Sequence, residues 1–552
     1  MYFRTKKTGP YEYVQVVESF RNEGKVRQQV LVTLGRLDAL KSGGQLEQLM
    51  RSGLRLCERL IVLDAQARGE TQAAEVLCIG PDLVFGRLWE ALGFGAILKG
   101  LLAGRRYGFD VERAIYLTVL HRLFVSGSDR QAERWKENYR IRGCDDLELH
   151  QLYRAMAFLG TPLSRKEQKD KTPFAPRCLK DLVEEQWFDR RRDLFTDVDL
   201  VFFDTTSIYF VGEGGQTIGR RGKSKDHRPE LKQMVVGLVI DKQGRPLCCE
   251  MWPGNTTDVK TLLPIVRRLK KRFGIRQVCI VADRGMISKE TVRELELPDS
   301  EVKYILGVRM RQQTEVRDDV LGRAGAYHEV VAPRKQRKDP SPLKVKEVWQ
   351  GERRYIVCLN EDQRAKDAAD RLAIVAGLKE QLTRGDKSLI GNKGYRRFVK
   401  TLGEERFEVD ERKITEASRF DGKWVLTTNT DLSATELALT YKQLWMVEEL
   451  FRTMKSIIDS RPIYHKCDET IRGHVFCSFL ALCLRKELAD RLEAIAPDAE
   501  WMDVLRDLNQ LQEVLTVFSG KKFVIRSQLK GCAHLALKAA GVAAPPTLRQ
   551  VE

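Results

Sequence analysis

The sequence predicts an α/β protein in which a mixed β-sheet lies between mainly helical N-terminal and C-terminal regions. Apolar residues follow a helical period up to about residue 160 and a strand pattern after about residue 196. An amphipathic helix, TLLPIVRRLKKRFG, interrupts the strands at 261–274, and a capping box, SATE, begins another helix at 433–436. A chain of 552 residues is too long for one compact core, so we expect several domains.

The N-terminal third is predicted to be a hairpin arm followed by a helical region. Residues 1–45 form the arm, because YEYVQVVESF and VRQQVLVTLG alternate around a polar RNEGK turn within 11–35. Residues 46–163 are interpreted as a helical DNA-binding region. The apolar stripes of that region cover 45–65, 82–102, 110–126 and 148–159.

A cluster of basic residues lies between two of these stripes. It contacts phosphates or forms a solvated helix face, and both readings remain open. Its members are Arg130, Arg134, Lys136, Arg140 and Arg142.

The remaining boundaries follow from changes in composition. A charged, proline-bearing stretch predicts a linker at 164–195, and the strand pattern then predicts the first part of an α/β core at 196–299. Short strand candidates and basic loops, including one at 333–342, predict a β-rich insertion at 300–430. The capped helix opens a second core segment at 431–490, and a C-terminal helical region is expected at 491–552.

The overall charge and the cysteines restrict the function. A formal net charge of +18 favours polyanions such as DNA, although a basic soluble protein without a nucleic-acid role fits the same number. Twelve cysteines without a C-x-x-C pair indicate buried thiols in a reducing cytoplasm rather than zinc or disulfides. The histidines are scattered in sequence, so no ligand role is expected for them.

No membrane association is expected. The most apolar helix candidate, 474–484, is too short to span a bilayer, and no signal-peptide core follows the N-terminus. We therefore expect a cytoplasmic protein, associated with the nucleoid if the host is a bacterium.

Two aspartates are the most informative candidates for chemistry. Asp204 follows the apolar run LVFF, and Asp283 follows VCIVA. An aspartate after such a run lies at the carboxyl end of a buried strand, where open sheets bind their ligands. A single one is more often a turn former, but two in one sheet favour a site for a hard cation such as Mg²⁺.

A third carboxylate, Glu448, lies on the helix that follows Ser433. At about 100° per residue Glu448 shares a stripe with Tyr441 and Leu444, at the rim of the buried face. Its neighbour Glu449 points elsewhere. The competing interpretation is an ordinary ion pair between Glu448 and Arg452, four residues on.

These residues resemble the DDE transposases of bacterial insertion sequences, and more narrowly the insertion-sequence-four group. That group carries a Y-x2-R-x3-E-x6-K signature, which here reads Tyr441, Leu444, Glu448 and Lys455. Leu444 replaces the signature arginine, and Lys442 or Arg452 is the candidate to take over its phosphate contact. FFDTTS and VADRGM resemble the strands of the first and second acid. The resemblance covers about 195–490.

The resemblance implies an RNase H-like core with a catalytic and metal-binding triad of Asp204, Asp283 and Glu448. Two Mg²⁺ ions, with Mn²⁺ able to substitute, would lie about 3.5–4 Å apart. The implied partners are double-stranded DNA, namely the terminal inverted repeats and the target, and a second copy of the chain in a homodimeric synaptic complex. The residues expected to contact DNA are Tyr441, Arg452, Lys455, Arg220, Arg221, Lys223 and Lys225.

Two alternatives remain open from the sequence. The same carboxylates suit an RNase H-fold nuclease that cuts DNA without joining it. A domesticated transposase that only binds DNA is the other alternative, although such a protein has no need of three intact acids.

Overall fold

The computed structural model describes most of the chain, and its residues divide into two compact units. One unit comprises Met1–Val76, Glu513–Gln528 and Pro545–Glu552, and the other comprises Leu77–Gln512 and Leu529–Ala544. The described residues are 1–22, 25–46, 48–49, 75–125, 127–168, 175–191, 200–275, 278–297, 300–334, 336, 339–384, 393–402, 406–456, 458, 460–518 and 521–551.

Strands are distributed over both units. The strands outside the main sheet are β1 (Tyr2–Thr8), β2 (Tyr11–Asn22), β3 (Lys25–Arg36), β4 (Glu75–Cys78), β13 (Val399–Leu402), β14 (Arg406–Val409), β16 (Gln512–Phe518), β17 (Lys521–Arg526) and β18 (Leu548–Val551). The strands of the main sheet are β5 (Leu200–Tyr209), β6 (Gln233–Asp241), β7 (Pro246–Pro253), β8 (Val278–Ala282), β9 (Val302–Gly307), β10 (His328–Val331), β11 (Leu343–Gln350), β12 (Arg353–Leu359) and β15 (Lys423–Thr428).

The helices lie mostly in the larger unit. In chain order they are α1 (Leu37–Ser42), α2 (Gly80–Ala91), α3 (Phe94–Leu102), α4 (Val111–Phe124), α5 (Asp129–Trp135), α6 (Leu149–Gly160), α7 (Leu179–Arg190), α8 (Leu262–Arg272), α9 (Lys289–Leu295), α10 (Glu361–Arg384), α11 (Lys393–Arg396), α12 (Glu411–Ser418), α13 (Ala434–Lys442), α14 (Trp445–Ser456), α15 (Asp468–Glu493), α16 (Trp501–Asn509) and α17 (Ala533–Ala540).

The larger unit is built on a mixed sheet of nine strands, in the order β10-β11-β12-β15-β9-β8-β5-β6-β7. Strand β8 runs parallel to both β5 and β9, whereas β6 runs antiparallel to β5. All nine residues of β6 are buried, and β5 is nearly as buried. The predicted mixed α/β architecture is therefore confirmed, and β5 lies inside the sheet with a neighbour on each side.

The N-terminal hairpin forms, with an additional strand. Strand β2 pairs antiparallel with β3, as the alternation at 11–35 predicts, and β1 pairs with the other edge of β2. Most of the helix expected at 45–65 lies outside the described residues. The stripe at 82–102 is two helices rather than one, because Gly93 has a left-handed backbone (φ 77°) between α2 and α3.

The stretch interpreted as a linker contains the buried helix α7. The buried face of α7 includes charged residues, so the segment lacks the apolar periodicity that predicts a helix. Lys180, Asp181 and Glu184 are each at most 2% exposed and interact with Arg268 of α8 or with one another. Full burial of these charges is tolerated because each finds an opposite partner.

The region 300–430 differs in two ways from the expected strand-rich insertion. Strands β9, β10, β11, β12 and β15 extend the main sheet itself. The region also contains α10, a helix of 24 residues. Its sequence, EDQRAKDAADRLAIVAGLKEQLTR, is rich in helix-forming alanine, leucine, lysine and glutamate, a signal that the search for strands passed over.

The C-terminal region also differs from the helical expectation. It contains helices α16 and α17, but it also contains strand β17, which pairs antiparallel with β16 on one side and with β18 on the other. The alternating runs QEVLTVF and KKFVIR are the signal for these strands.

The cysteines and the helices of the described residues bear on the redox and membrane properties of the chain. All eleven cysteines in the described part of the chain are free, and eight of them are buried, which agrees with the thiol prediction. Among the described helices, none combines the length and apolar character needed to cross a membrane.

Candidate active site

The strand register places Asp204 beside Asp283. In the parallel pair of β5 and β8, Phe203 is the partner of Ala282, and the two aspartates are the next residues of their strands. Adjacent strands lie about 4.8 Å apart, so the two carboxyl groups start from neighbouring positions at the same end of the sheet. The structure thus brings together the two aspartates that the sequence singles out.

Burial raises the pKa of the Asp204 carboxyl from 3.8 to about 6. The Lys225 ammonium and the Thr205 backbone N–H lower this pKa, whereas the charges of Asp283 and Asp258 raise it. The N–H of Thr205 donates to Asp204 Oδ1 at 2.6 Å. Such crowding of like charges is typical of a site that receives a cation.

Asp258 is a third carboxylate at this end of the sheet, and the sequence search missed it. Thr205 Oγ1 donates to Asp258 Oδ1 at 2.7 Å. A Cβ on Gly285 would lie 3.5 Å from Asp258 Oδ2 and 3.9 Å from Asp283 Oδ2, so both oxygens border the same small volume. The available signal is the polar run NTTD, which follows the buried strand β7.

Lys225 lies within this carboxylate cluster. Its Nζ donates to Thr205 O at 2.6 Å and to Thr205 Oγ1 at 2.8 Å. The same atom is 3.5 Å from Asp258 Oδ2 and 3.8 Å from Asp204 Oδ1. Lys225, expected from the sequence to contact DNA, therefore offsets the negative charge of the acids in this structure.

Tyr441 of α13 reaches Asp283. Its hydroxyl donates to Asp283 Oδ1 at 3.1 Å, and burial together with the charge of Asp283 holds the pKa of Tyr441 far above its usual value. The phenol therefore keeps its proton and remains a donor. The approach requires a glycine at 307, because a Cβ there would lie 2.3 Å from the hydroxyl.

The helix that begins at Ser433 is two helices rather than one. The predicted capping box is present: Ser433 Oγ accepts from the N–H of Glu436, and Glu436 Oε2 accepts from the N–H of Ser433. Between α13 and α14 the hydrogen bonds shorten to the i+3 type, for example from Leu444 N to Tyr441 O. Residues in such a turn rotate by about 120°, so the single stripe drawn through Tyr441 and Glu448 is not continuous.

Leu444, at the signature arginine position, is 9% exposed and belongs to the hydrophobic core. Its side chain therefore packs at the break between α13 and α14.

Glu448 is exposed on α14. Within the described residues its side chain forms no hydrogen bond and no ion pair, so the expected pairing with Arg452 is not seen. Val447 and Phe451 anchor α14 in the hydrophobic core that also contains Phe202 of β5. The charge of Glu449 acts instead on Arg485. The structure thus joins Asp204 to Asp283, but it shows no contact between either of them and Glu448.

The other predicted DNA contacts have varied surroundings. Lys455 Nζ donates to Asp226 Oδ1 at 2.8 Å, and Arg452 is exposed. Arg220 donates to two nearby backbone oxygens, those of Gly219 and Gln216. Arg221 and Lys223 are exposed.

A cleft of about 520 Å³ opens over the acids. Its lining combines Asp258 and Asp283 with five basic side chains, three of which the sequence search did not single out. The basic residues are Lys223, Lys225, Arg284, Arg309 and Arg311. Arg309 is fixed by donating to the backbone oxygens of Arg284 and Gly285, at 3.0 and 2.9 Å. A basic rim around a few carboxylates suits a polyanion bound together with a cation.

The donor atoms at the site fit magnesium. Asp204, Asp283 and Asp258 offer carboxylate oxygens, which are the ligands of a hard cation that retains several waters. The Lys225 ammonium offsets part of the negative charge of these acids in the structure.

A second cluster, remote in sequence from the carboxylates, contains histidine. Ligand atoms of Asp129, His465 and His474 lie within 4.8 Å of one another, so these histidines meet although they are far from Asp129 in sequence. Arg122 Nη2 lies 2.9 Å from His474 Nδ1 and 3.4 Å from Asp129 Oδ1. Burial holds the pKa of His474 far below its usual value. A guanidinium among the ligands opposes a metal, so this cluster is better described as a buried polar network.

Family models match both the N-terminal segment and the region that contains the main sheet. A family model described as a transposase DDE domain matches residues 196–484, more than half of the chain. A model described as the N-terminal domain of IS1634 family transposases matches residues 3–68. A search of curated proteins returned no match. Among solved structures, a piggyBac transposase synaptic complex with hairpin DNA is 11% identical, with a TM-score of 0.37, over 78% of this chain and 79% of the other.

Proposed function

Because this chain belongs to the family of transposases with a DDE domain, we propose that it binds the ends of its insertion sequence and catalyses Mg²⁺-dependent strand cleavage and strand transfer. The catalytic residues would be Asp204, Asp283 and Glu448, on an RNase H-like core. The signature of the insertion-sequence-four group at Tyr441, Glu448 and Lys455 is part of this proposal.

One observation carries the proposal: the pairing of Phe203 with Ala282, which sets Asp204 and Asp283 side by side. Their charges influence each other strongly enough to contribute to the raised pKa of Asp204. That pKa, about 6, still leaves Asp204 mostly ionised at neutral pH, as a metal ligand must be.

The acidic side chains and Tyr441 have separate roles in the proposed reaction. Asp204, Asp283 and Glu448 would together hold two divalent ions. When bound, the ions activate the attacking water or 3′-OH and stabilise the leaving 3′ oxygen. Tyr441 restrains Asp283 by donating to Oδ1, which leaves Oδ2 free for a ligand. Glu448 lies on α14, whose apolar face packs in the same core as β5.

The cleft supplies the proposed DNA contacts. Lys223, Arg284, Arg309 and Arg311 lie around the acids and would neutralise backbone phosphates. Arg220, Arg221, Arg452 and Lys455 complete the proposed contact set. We further propose a homodimer that bridges two transposon ends and works at the bacterial nucleoid.

The decisive experiment uses a duplex that carries the terminal repeat of the element encoding this chain. Wild-type protein with Mg²⁺ should nick at the transposon end and join the resulting 3′-OH to target DNA. Asp204→Ala, Asp283→Ala and Glu448→Ala should each abolish both steps while DNA binding persists.

Glu449→Ala is the matched control, because Glu449 neighbours Glu448 on α14 and its charge acts on Arg485. Nicking without joining would support the nuclease alternative, and specific binding without nicking would support the domesticated DNA-binding protein. Normal cleavage by Glu448→Ala together with loss in Glu449→Ala would contradict the assignment of the third acid.

A further inference from the structure

Asp226 is a buried carboxylate that holds two cationic side chains. Its side chain is 5% exposed, and Oδ1 accepts from Lys455 Nζ at 2.8 Å and pairs with the guanidinium of Arg461. Among the described residues its Oδ2 has no hydrogen-bond partner. Removing a charged carboxylate from water is costly, so the two cations are needed to stabilise the buried charge of Asp226.

The loop around Asp226 is tied to the strand that carries Asp204. The backbone N–H of Lys225 donates to Ser207 Oγ at 2.8 Å, and Ser207 lies on β5. Ser224 Oγ accepts from the N–H groups of Asp226 and Arg228 at 3.2 and 3.1 Å. Lys225 Nζ also donates to the backbone oxygen and to Oγ1 of Thr205 on β5, so the segment cannot shift along this strand without losing these three hydrogen bonds to it.

Lys225 and Asp226 are adjacent in sequence but pair with different groups. Lys225 pairs with Asp204 and Asp258, and Asp226 pairs with Lys455 and Arg461. Consecutive Cα atoms are only about 3.8 Å apart. The distance between the carboxylate cluster and the two cations is consequently set by one dipeptide.

The charges around Asp226 do not cancel. Lys455 and Arg461 carry two positive charges against one carboxylate, and their side chains are 11% and 29% exposed. Burial, together with the charges of Arg461 and Lys225, lowers the pKa of Lys455. A surplus of positive charge with little access to water favours an anion that can still reach it, and a backbone phosphate has the required oxygens.

We propose that Asp226 is a positioning residue that holds Lys455 and Arg461 where they bind one DNA phosphate at a fixed distance from Asp204. This inference rests on the proposed function and adds to it Arg461 as a phosphate contact and Asp226 as the residue that aims both cations. Because Asp226 acts only through Lys455 and Arg461, its substitution should leave the phosphate contact without a fixed position but should not abolish DNA binding.

The test is a scan of single neutral methylphosphonates through the end-bearing duplex, with affinity measured without divalent metal. In the wild type one substitution near the scissile position should weaken binding about tenfold, equivalent to about 1.4 kcal/mol. Asp226→Asn keeps the shape of the side chain. In this variant the same methylphosphonate should weaken binding by less than about twofold, and the affinity for unmodified DNA should stay within about threefold of the wild-type value. Lys455→Ala should give the same flattened profile.

Glu230→Gln is the matched control, because Glu230 belongs to the same loop but forms an exposed pair with Arg228. Its profile should match the wild type. A wild-type profile in folded Asp226→Asn would overturn the inference, as would loss of all DNA binding in a folded Asp226→Asn protein. Failure of the proposed function looks different, since it would appear as absent Mg²⁺-dependent cleavage by the wild type, whatever the binding profile.

Discussion

Asp204→Asn should stabilise the metal-free protein at neutral pH. The folded-state pKa of Asp204 is about 6 against an ordinary value of 3.8. One pKa unit corresponds to about 1.4 kcal/mol, so the ionised carboxylate lowers the free energy of unfolding by about 3 kcal/mol. Asparagine removes the charge and retains an oxygen that can accept from the N–H of Thr205.

The sign of the pH dependence follows from the raised pKa. The contribution of Asp204 to stability is fully present below pH 3.8 and is lost as the pH rises through about 6. The difference between Asp204→Asn and the wild type should therefore be only about 1 kcal/mol near pH 4.5. It should reach its full size by about pH 7.5.

Thermal unfolding in EDTA at several pH values measures this difference. At pH 7.5 Asp204→Asn should melt several degrees above the wild type. Asp146→Asn is the control, because Asp146 is exposed. A melting temperature equal to or below that of the wild type at pH 7.5, or a gain that persists unchanged at pH 4.5, would refute the electrostatic reasoning.

Two further predictions concern Tyr441 and the buried charges. Gly307→Ala should slow strand cleavage about 10- to 100-fold, an effect comparable to the loss of a positioned catalytic contact. The reason is that the new Cβ would lie 2.3 Å from the Tyr441 hydroxyl and displace it. A cleavage rate equal to that of the wild type would contradict this prediction. Arg268→Met should lower the free energy of unfolding by about 3–5 kcal/mol, because the acids that Arg268 pairs with lose a buried partner. The exposed neighbour variant Arg267→Met should lower it by less than about 1 kcal/mol, and equal melting temperatures of the two variants would count against the account.

The sequence was most informative where a carboxylate directly follows a buried strand. Asp204 and Asp283 each end an apolar run, and that pattern predicts both the strands and the end of the sheet at which they meet. Asp258 gave a weaker signal because it lies in a short turn after β7, where aspartate is common for purely local reasons. Its importance arises from Thr205 and Lys225, contacts that depend on the fold.

Other differences arise where tertiary structure overrides the local pattern. Helix α7 was not predicted, because the charges on its buried face are neutralised by Arg268, 84 residues after Glu184. The break after α13 escaped detection because both halves continue an apolar stripe, with Leu444 packed in the core at the turn. Histidines 465 and 474 meet Asp129 only through folding.

The basic residues show the same limit. Lys225 and Lys455 were predicted from charge and from the signature as contacts to DNA. In the structure they pair with Asp204 and Asp226, respectively. Charge patterning identifies a basic loop, but only the fold reveals which ammonium groups already have an acidic partner.

When DNA is bound, Asp204, Asp283 and Glu448 should converge on divalent cations. Anomalous diffraction from crystals of the protein with end-bearing DNA and Mn²⁺ tests it most directly. We expect manganese peaks about 2.1 Å from carboxylate oxygens of Asp204, shared with Asp283 and with Glu448. A manganese peak only at Asp129, His465 and His474, or a Glu448 carboxylate more than about 10 Å from every ion, would contradict the claim.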